Sequence, residues 1–336
     1  MDKHKDTYQF GNIIKVIGVG GGGNNAVNHM YLQNIDGVSF VVSDTDRYQL
    51  EESSVPDRVL LGPNTTLGQS ACYDHEVARR AAEESRPEIS ALFDDDTKMV
   101  IITAGMGGGT GTGASPVVAR IAREKVLLTI GLVTIPFLFE GSLRNLKALA
   151  GIEEMSKYVD ALFIVNNEHL TEIYGDINGS NAYLKADETL TTAVSSLCGL
   201  ITIKSKLSMD FNDVNSTLRK SGNAFIVSGF GTGERRVTKA LENALESHLL
   251  KNCDVFSSKK ILMEFYYNPH SEFPLLMEEM NEVQEFMENF DEEVDVVWSM
   301  AFDNNLEDQV KVTILATGFN VSIHEPYPVD KEQTVE

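Results

Sequence analysis

Cysteine is scarce in this chain of 336 residues, and its three cysteines lie far apart at Cys72, Cys198 and Cys253. None belongs to a CxxC pair, so the sequence predicts neither a disulfide framework nor a cysteine-based zinc site. Free buried thiols in a reducing cytoplasm are the expected state. The seven histidines are also scattered, with no metal-ligand spacing.

Long apolar runs and positive charge are scarce as well. No apolar run reaches the roughly 18 residues of a membrane span, and the first residues lack the apolar segment of a signal peptide. The 28 basic residues face 50 acidic ones, giving a net charge of −22. Such a surface argues against nucleic acid and anionic membranes as main partners. The hydrophobic content of 42% suffices for real cores, and the length favours two domains.

Glycine, by contrast, is concentrated in the segment GMGGGTGTG at residues 105–113. A buried-strand pattern precedes it at 99–103, and a helical pattern follows at 114–123. Glycines at such a turn let backbone N–H groups approach a ligand closely. The helix N-terminus favours an anion there, and two threonines add hydroxyl donors. We therefore predict a di- or triphosphate site, because a flexible surface loop would not need flanks this regular.

Short apolar strands alternate with helices from residue 13 to residue 165, which is typical of a parallel sheet covered on both faces. A long amphipathic helix is predicted next, and then four strands and two further helices. The predicted fold is α/β: a parallel sheet with helices on both faces, a long central helix and a smaller α+β domain. The predicted units are a phosphate-binding domain at 1–181, the central helix at 182–203, the α+β domain at 204–320 and a polar tail at 321–336.

A second glycine cluster leaves a different enzyme class open. Gly18, Gly20 and Gly23 form GxGxxG between a strand and a helix, and Asp44 and Asp46 follow about 20 residues later, as in dinucleotide sites. This pattern is compatible with a nicotinamide-dependent oxidoreductase. Against that hypothesis, such a site needs no second glycine loop, and no proton-transfer residue stands out in the second half. There is no GxxxxGK[ST] motif, so backbone amides, helix dipoles and Mg²⁺ would hold the phosphates.

Taken together, the two glycine loops resemble those of the tubulin/FtsZ superfamily, whose signature is GGGTGTG at 107–113. The similarity to its FtsZ branch, the bacterial division GTPases, extends from residue 14 to residue 320. It includes PFLFEG at 136–141 and ATG at 316–318, while NN at 166–167 and KADE at 185–188 resemble Bacteroidetes members. The resemblance implies a tubulin/FtsZ-type GTPase domain, GTP or GDP with Mg²⁺ as ligands, and a cytoplasmic role at the mid-cell division site.

The resemblance also implies roles for particular residues in nucleotide binding. Glu140 would accept a hydrogen bond from a ribose hydroxyl, Arg144 would lie over the nucleotide, and Asn167 would reach the ribose or base edge. Tyr183 would stack on the base. Asp187 would select guanine, because a carboxylate accepts from both N1–H and the N2 amine. The remaining positions, expected to line the nucleotide or cradle its phosphates, are Gly20, Gly21, Gly22, Asn24, Asn25, Ala71, Gly105, Gly107, Gly108, Gly109, Thr110, Gly111 and Thr112.

Asp210 and Asp213 lie three residues apart where a loop passes into a helix. Aspartate is a preferred helix N-cap, so capping alone explains this pair as well as catalysis does. The resemblance implies that one subunit presents these catalytic carboxylates to the nucleotide of the next, where they position and polarise the attacking water. The chain would then assemble head-to-tail with copies of itself. Membrane-tethering and other division proteins are the further partners implied, without nucleic acid or direct membrane insertion.

Three departures from the family pattern favour a divergent member. Ser208 replaces the usual asparagine of the acidic loop, Asp44 stands where asparagine is usual, and the segment GQSACYD at 68–74 has lost glycines. These changes keep a second hypothesis open, namely a paralogue that binds GTP and assembles but hydrolyses GTP slowly or not at all.

Overall fold

The chain folds around one continuous ten-stranded sheet. A computed structural model describes residues 13–35, 37–174, 179–202, 209–247, 250, 253–291 and 293–319. The strand order is β3-β2-β1-β4-β5-β6-β7-β10-β8-β9. The strands are β1 (Ile14–Val19), β2 (Val38–Asp44), β3 (Asp57–Leu60), β4 (Met99–Gly105), β5 (Leu128–Ile135), β6 (Ala161–Asn166), β7 (Gly222–Gly231), β8 (Lys260–Tyr267), β9 (Asp295–Phe302) and β10 (Val310–Thr317).

Eleven α-helices are found among the described residues. They are α1 (Gly20–Leu32), α2 (Arg47–Glu52), α3 (His75–Glu84), α4 (Arg86–Ala91), α5 (Thr110–Glu124), α6 (Ser142–Ser156), α7 (Asn167–Ile173), α8 (Gly179–Thr202), α9 (Phe211–Leu218), α10 (Arg236–Leu245) and α11 (Asn281–Met287). Short 3₁₀ helices occur at Leu138–Glu140, Val255–Ser257 and Met277–Met280.

The first six strands are parallel, and all except the edge strand β3 are largely buried. Every residue of β1 and β5 is buried, as expected for strands covered by helices on each side. One hydrophobic core lies between the sheet and helices α1 and α8, and a second lies between the sheet and helices α3, α5 and α6. The predicted α/β class, with helices on both faces, is confirmed.

The sheet does not stop where the parallel part ends. β7 pairs in parallel with β6 through Ala161 and Phe163, and β10 and β8 then continue the sheet in antiparallel fashion. Helices α10 and α11 cover one face of this second half and form a third core. The two halves are therefore joined edge to edge, with α8 packed across the junction.

Some sequence-based expectations for individual elements were wrong. A single helix was expected over 74–93, but the structure has α3 and α4, which separate at Ser85, with Pro87 in the first turn of α4. Proline lacks the N–H that would continue the earlier helix. The helix expected over 274–289 is instead a 3₁₀ turn followed by α11. α2 and α7 were not anticipated.

Helix α8 connects the two edges of the parallel sheet. Its first turns lie beside the carboxyl ends of the strands, where Tyr183 and Asp187 border a cleft. Its last residue lies at the opposite edge, because a Cβ built on Gly37, just before β2, would lie 3.2 Å from the Thr202 side chain. With 24 residues, α8 is about 36 Å long. Of the helices described, none is long and apolar enough to cross a membrane.

Candidate nucleotide-binding site

A cleft of about 450 Å³ opens at the carboxyl ends of β1, β4 and β5. Parallel α/β sheets bind ligands at this edge, where the helix N-termini converge. Most of the residues predicted from the sequence line it. These are Gly21, Gly22, Asn25, Gly105, Gly108, Gly109, Thr110, Gly111, Glu140, Arg144, Asn167, Tyr183 and Asp187.

The two glycine loops pack against each other through their backbones. A Cβ on Gly20 would lie 2.7 Å from the Gly111 nitrogen, and one on Gly23 would lie 2.2 Å from the Thr103 carbonyl oxygen. In contrast, a Cβ on Gly21 or Gly108 would meet nothing within 4 Å. Some glycines therefore permit the close packing of the loops, while Gly21 and Gly108 keep space open over backbone amides in the cleft.

Some predicted residues support the cleft from behind instead of lining it. Thr112 is buried, and its hydroxyl accepts a 2.8 Å hydrogen bond from the Gly107 N–H, which holds the second glycine loop closed. The Ala71 N–H donates to the Thr45 hydroxyl at 3.1 Å. The predicted residues outside the lining are Gly20, Asn24, Ala71, Gly107 and Thr112.

Asp44 places a fixed carboxylate at the phosphate end of the cleft. Its Oδ1 accepts from the N–H groups of Thr45 (2.7 Å) and Asp46 (3.2 Å), and its Oδ2 accepts from the Asn24 amide at 3.3 Å. Burial raises the pKa of Asp44, although these hydrogen bonds act against the shift. The Thr45 hydroxyl lies 3.2 Å from that of Thr110, which joins this segment to the second glycine loop.

Glu140 and Arg144 form an ion pair across the cleft wall. The Glu140 carboxylate accepts from Arg144 at 2.9 Å and from the Phe137 N–H at 3.0 Å. The guanidinium carbon lies 5.6 Å from the centre of the Tyr73 ring. The buried Nε of Arg144 has no hydrogen-bond partner among the described residues. Because buried donors are normally paired, this N–H is suited to a ligand acceptor.

The far end of the cleft is suited to a base. Tyr183 is 44% exposed, packs edge-on against Phe137 with ring centres 5.3 Å apart, and can stack on a flat ligand. Burial raises the pKa of Asp187 to about 7, and no cation or donor among the residues that the structure describes counters that shift. Asn167 is 5% exposed, and its buried Oδ1 has no partner among the described residues. A group with two adjacent N–H donors, such as guanine, would complement this carboxylate.

The lining also contains residues that the sequence did not single out as ligands. The segment 68–74 lines the cleft through residues other than Ala71, since Cys72 and Tyr73 border it with positive φ of 46° and 65°. Cys72 is exposed, so the expectation of buried thiols is wrong for this residue. In the sequence, this segment stood out only as a family loop that has lost glycines. The other additional lining residues are Asp44, Asp46, Gln49, Ser70, Met106, Thr134, Pro136, Ala186 and Leu190.

Asp210 and Asp213 do not line this cleft. They form a reciprocal cap on α9: Asp210 Oδ1 accepts from the N–H groups of Asn212 (2.7 Å) and Asp213 (3.2 Å), and Asp213 Oδ2 accepts from the Asp210 N–H at 2.9 Å. Asp210 is exposed and Asp213 is half-buried. The structure thus shows the capping role, while Ser208 lies outside the described residues. Across the described ranges, no group of three or more His, Cys, Asp or Glu side chains could hold a metal ion.

Comparison with known proteins agrees with this architecture. Residues 13–175 match the Tubulin/FtsZ family GTPase domain, and residues 222–320 match the FtsZ family C-terminal domain. The cell division protein FtsZ of Porphyromonas gingivalis is 48% identical over 310 residues, covering 92% of this chain and 67% of that protein. FtsZ of Caulobacter vibrioides is 38% identical over 323 residues, covering 95% of this chain and 63% of that protein.

Solved structures give the same result. The empty FtsZ dimer of M. jannaschii matches with a TM-score of 0.82 and 35% identity, covering 93% of this chain and 89% of that one. The GTPγS-bound CetZ2 protofilament of Haloferax volcanii matches with a TM-score of 0.76 at 19% identity, covering 92% and 94%, which shows the shared fold. This architecture and this cleft are those of the tubulin-like GTPases. Within that class, the chain belongs to the FtsZ family of cell-division GTPases.

Proposed function

We propose that the cleft binds GTP with its phosphates on the two glycine loops and its base between Tyr183 and Asp187. Three features support this orientation: the open space over Gly21 and Gly108, the unpartnered Nε of Arg144 and the carboxylate of Asp187 without a counter-charge. The glycine loops supply backbone N–H donors and helix N-termini. The carboxylate of Asp187 accepts both edge donors of guanine, which adenine lacks.

Mg²⁺ would accompany the phosphates in this proposal. Mg²⁺ keeps several water ligands and uses one or two carboxylates together with substrate phosphates, so it needs no cage of protein ligands. Asp44 and Asp46 line the phosphate end of the cleft and are the carboxylates available there. The ion would neutralise charge on the phosphates as the terminal phosphate is transferred to water.

Hydrolysis, we propose, is completed by Asp210 and Asp213 of a neighbouring copy. The observation that carries this proposal is the position of the two carboxylates relative to the cleft. The cleft lies at the carboxyl edge of the sheet, whereas Arg219, at the end of α9, bonds to Leu127 and Asp160, which precede β5 and β6 at the amino edge. Neither carboxylate lines the cleft of its own chain, and a head-to-tail neighbour would bring the pair to it.

The rim of the cleft is suited to such a neighbour. Large apolar side chains are exposed around the opening, although isolated exposed apolar residues are common on protein surfaces. Here they belong to segments that also supply residues of the cleft lining, and a cluster of this kind is typical of an interaction surface. They are Leu67, Tyr73, Phe139, Leu143, Leu146, Tyr183 and Leu184. Repeated head-to-tail contacts of this kind build an open filament.

The test uses substitutions that retain capping but remove charge. Asparagine caps helices as well as aspartate does, so Asp210→Asn and Asp213→Asn should keep α9 intact. We expect both variants to bind GTP with unchanged affinity and to lose most phosphate release, and we expect wild-type turnover per subunit to rise steeply with protein concentration. Asp254→Asn, a substitution of a carboxylate away from both sites, serves as the control.

The outcomes separate the alternatives. If turnover per subunit is independent of concentration, the neighbour is not required. If both asparagine variants hydrolyse GTP at the wild-type rate, the pair serves only as a cap. If wild type pellets with GTP and Mg²⁺ but releases little phosphate, the slowly hydrolysing paralogue is the better description. On family membership, we propose further that the protein acts in the cytoplasm at mid-cell with membrane-tethering and other division proteins.

A further inference from the structure

The two ends of the short helix α9 differ: the first turn carries the two carboxylates, and the last turn leads into Arg219. Its first turn is capped by Asp210 and carries Asp213. Its last turn leads into Arg219, whose N–H bonds to the Asn215 carbonyl at 2.8 Å. With eight residues, α9 is about 12 Å long. A change in the anchoring of one end therefore moves the carboxylates at the other end.

The guanidinium of Arg219 attaches this helix to the nucleotide-binding half. One terminal nitrogen donates to the Leu127 carbonyl at 3.0 Å and to Asp160 Oδ2 at 3.1 Å. The other donates to Oδ1 of Asn215, within α9 itself, at 2.9 Å. Arg219 thus makes bonds to both α9 and the amino edge of the sheet, and its planar fork holds their relative orientation.

Asp160 is the partner that makes this attachment rigid. Its carboxylate also accepts from the N–H groups of Thr129 (3.0 Å) and Lys220 (3.2 Å), and its carbonyl accepts from the Ser221 N–H at 2.8 Å. Only 12% of the Asp160 side chain is exposed. It therefore joins the start of β5, the residue before β6 and the turn between α9 and β7. We call Arg219 and Asp160 together the α9 clamp.

The other described hydrogen bonds of α9 come from the C-terminal half. Lys260 Nζ donates to the Ser216 carbonyl at 2.9 Å, and the Thr317 hydroxyl donates to the Thr217 carbonyl at 3.4 Å. Both partners belong to strands of the second half, β8 and β10. α9 therefore lies between the two halves of the chain. Among its described side-chain bonds, those of Arg219 are the ones that reach the nucleotide-binding half.

We propose that the α9 clamp is a positioning device for hydrolysis, with Arg219 as a positioning residue that orients Asp210 and Asp213 toward the nucleotide of the next subunit. This inference rests on the proposed assembly-dependent hydrolysis. Neither Arg219 nor Asp160 lines the cleft, so the clamp leaves GTP binding to other residues. In phosphoryl transfer, misplacement of an orienting group by about 1 Å lowers the rate by a factor on the order of 100.

Arg219→Ala tests the clamp, with turnover and assembly measured separately. We expect GTP affinity within about twofold of wild type, because the cleft is untouched, and a similar pelleted mass at saturating protein. Turnover per pelleted subunit should fall about tenfold to a hundredfold. Arg219→Lys should recover only part of the rate, because a single ammonium can reach Asp160 but cannot hold all three acceptors. Arg235→Ala, which removes an exposed arginine paired with Glu285, is the matched control and should change neither quantity.

A purely structural role would give a different pattern. In that case Arg219→Ala would lower the melting temperature and the pelleted mass while leaving turnover per pelleted subunit unchanged, and the proposal would be overturned. If the alanine variant does not fold, Arg219→Lys provides the test instead, because full wild-type turnover in the lysine variant also contradicts the proposal. Asp210→Asn distinguishes a wrong clamp proposal from a wrong proposed function. If Asp210→Asn loses hydrolysis while Arg219→Ala does not, the clamp proposal is wrong and the proposed function stands. If turnover per subunit of the wild type does not depend on protein concentration, the proposed function itself is wrong.

Discussion

Asp187 is a half-buried carboxylate in the cleft wall, and no positive charge from the described residues offsets its burial. Burial raises its pKa from 3.8 to about 7. Because the folded chain then holds this proton more tightly than the unfolded chain, Asp187 lowers the stability of the nucleotide-free fold as the pH rises from about 4 to about 7. In the proposed complex, the two N–H donors of guanine would offset that loss by stabilising the ionised form.

This charge makes nucleotide affinity dependent on pH. Guanine needs the ionised carboxylate, so the GTP affinity of the wild type should be highest above pH 7 and fall by up to about tenfold per pH unit below it. Asp187→Asn should lower the affinity at pH 8 by about 1.5–3 kcal/mol and flatten this part of the profile, because the amide pairs with only one guanine donor and does not ionise. Titration of the purified protein with GTP at several pH values measures both effects.

The neighbouring residue offers a control for that measurement. Glu188 pairs with Lys185 on the partly exposed side of α8, and Glu188→Gln should retain both the affinity and the pH profile of the wild type. If Asp187→Asn keeps the wild-type preference for GTP over ATP, a group other than Asp187 recognises guanine.

Among the elements, the first turn of α1 shows two different uses of glycine. The turn packs on β4 through Gly23, where a Cβ would lie 2.2 Å from a backbone oxygen, and it faces the cleft through Gly21, where a Cβ would meet no atom within 4 Å. The helix already begins at Gly20, inside the glycine cluster. The glycine loop is therefore part of the helix and brings its N–H groups to the cleft.

The two glycines form a matched pair for mutation. Gly23→Ala should reduce the free energy of unfolding by about 1–3 kcal/mol, because backbone cannot move aside as a side chain can. Gly21→Ala should leave stability unchanged or raise it by about 0.5–1 kcal/mol, since alanine favours a helix, yet weaken GTP binding by filling space beside the amides. Thermal unfolding and GTP titration of both variants check this. Equal loss of stability in the two variants would contradict the assignment.

The elements also show how far the sequence could predict this structure. Strands with strong apolar patterns, such as Lys260–Tyr267 and Val310–Thr317, have the bounds that the pattern predicts. The interruption at Ser85 was missed because apolar periodicity continues through it. Within the cleft, the residue types suited to a nucleotide could be recognised from motifs. The supporting role of Thr112 could not, because it depends on a hydrogen bond that only the folded loop creates.

For the molecule as a whole, the cleft and the acidic cap lie at opposite edges of one sheet. The positions of the cleft and the cap are set by rigid elements, because α8 runs between the two edges and packs on the sheet. The length of α8, about 36 Å, spans the sheet between these two edges. In the proposed mechanism, each chain supplies a cleft at one edge and the two carboxylates at the other.

Two inactive variants should restore activity to each other. Asp210→Asn should bind GTP but lacks one of the two carboxylates, whereas Asp187→Asn should bind GTP weakly but keeps both. When they are mixed, the first variant's nucleotide meets the second variant's carboxylates, so turnover should exceed the sum of the two separate rates several-fold. Measurement of phosphate release from the separate and mixed proteins tests this prediction. A strictly additive result would mean that each subunit uses its own carboxylates.

The opposite placement of cleft and cap determines which nucleotides along the proposed filament could be hydrolysed. In the proposed head-to-tail filament of n subunits, n − 1 nucleotides would be covered by a neighbour, and the one at the open-cleft end would not. That last nucleotide would stay unhydrolysed until another subunit bound, so each addition would permit hydrolysis in the subunit before it. The time since each nucleotide became hydrolysable would then equal the time since its neighbour bound, and the two ends of the filament would differ in chemistry although every subunit is identical.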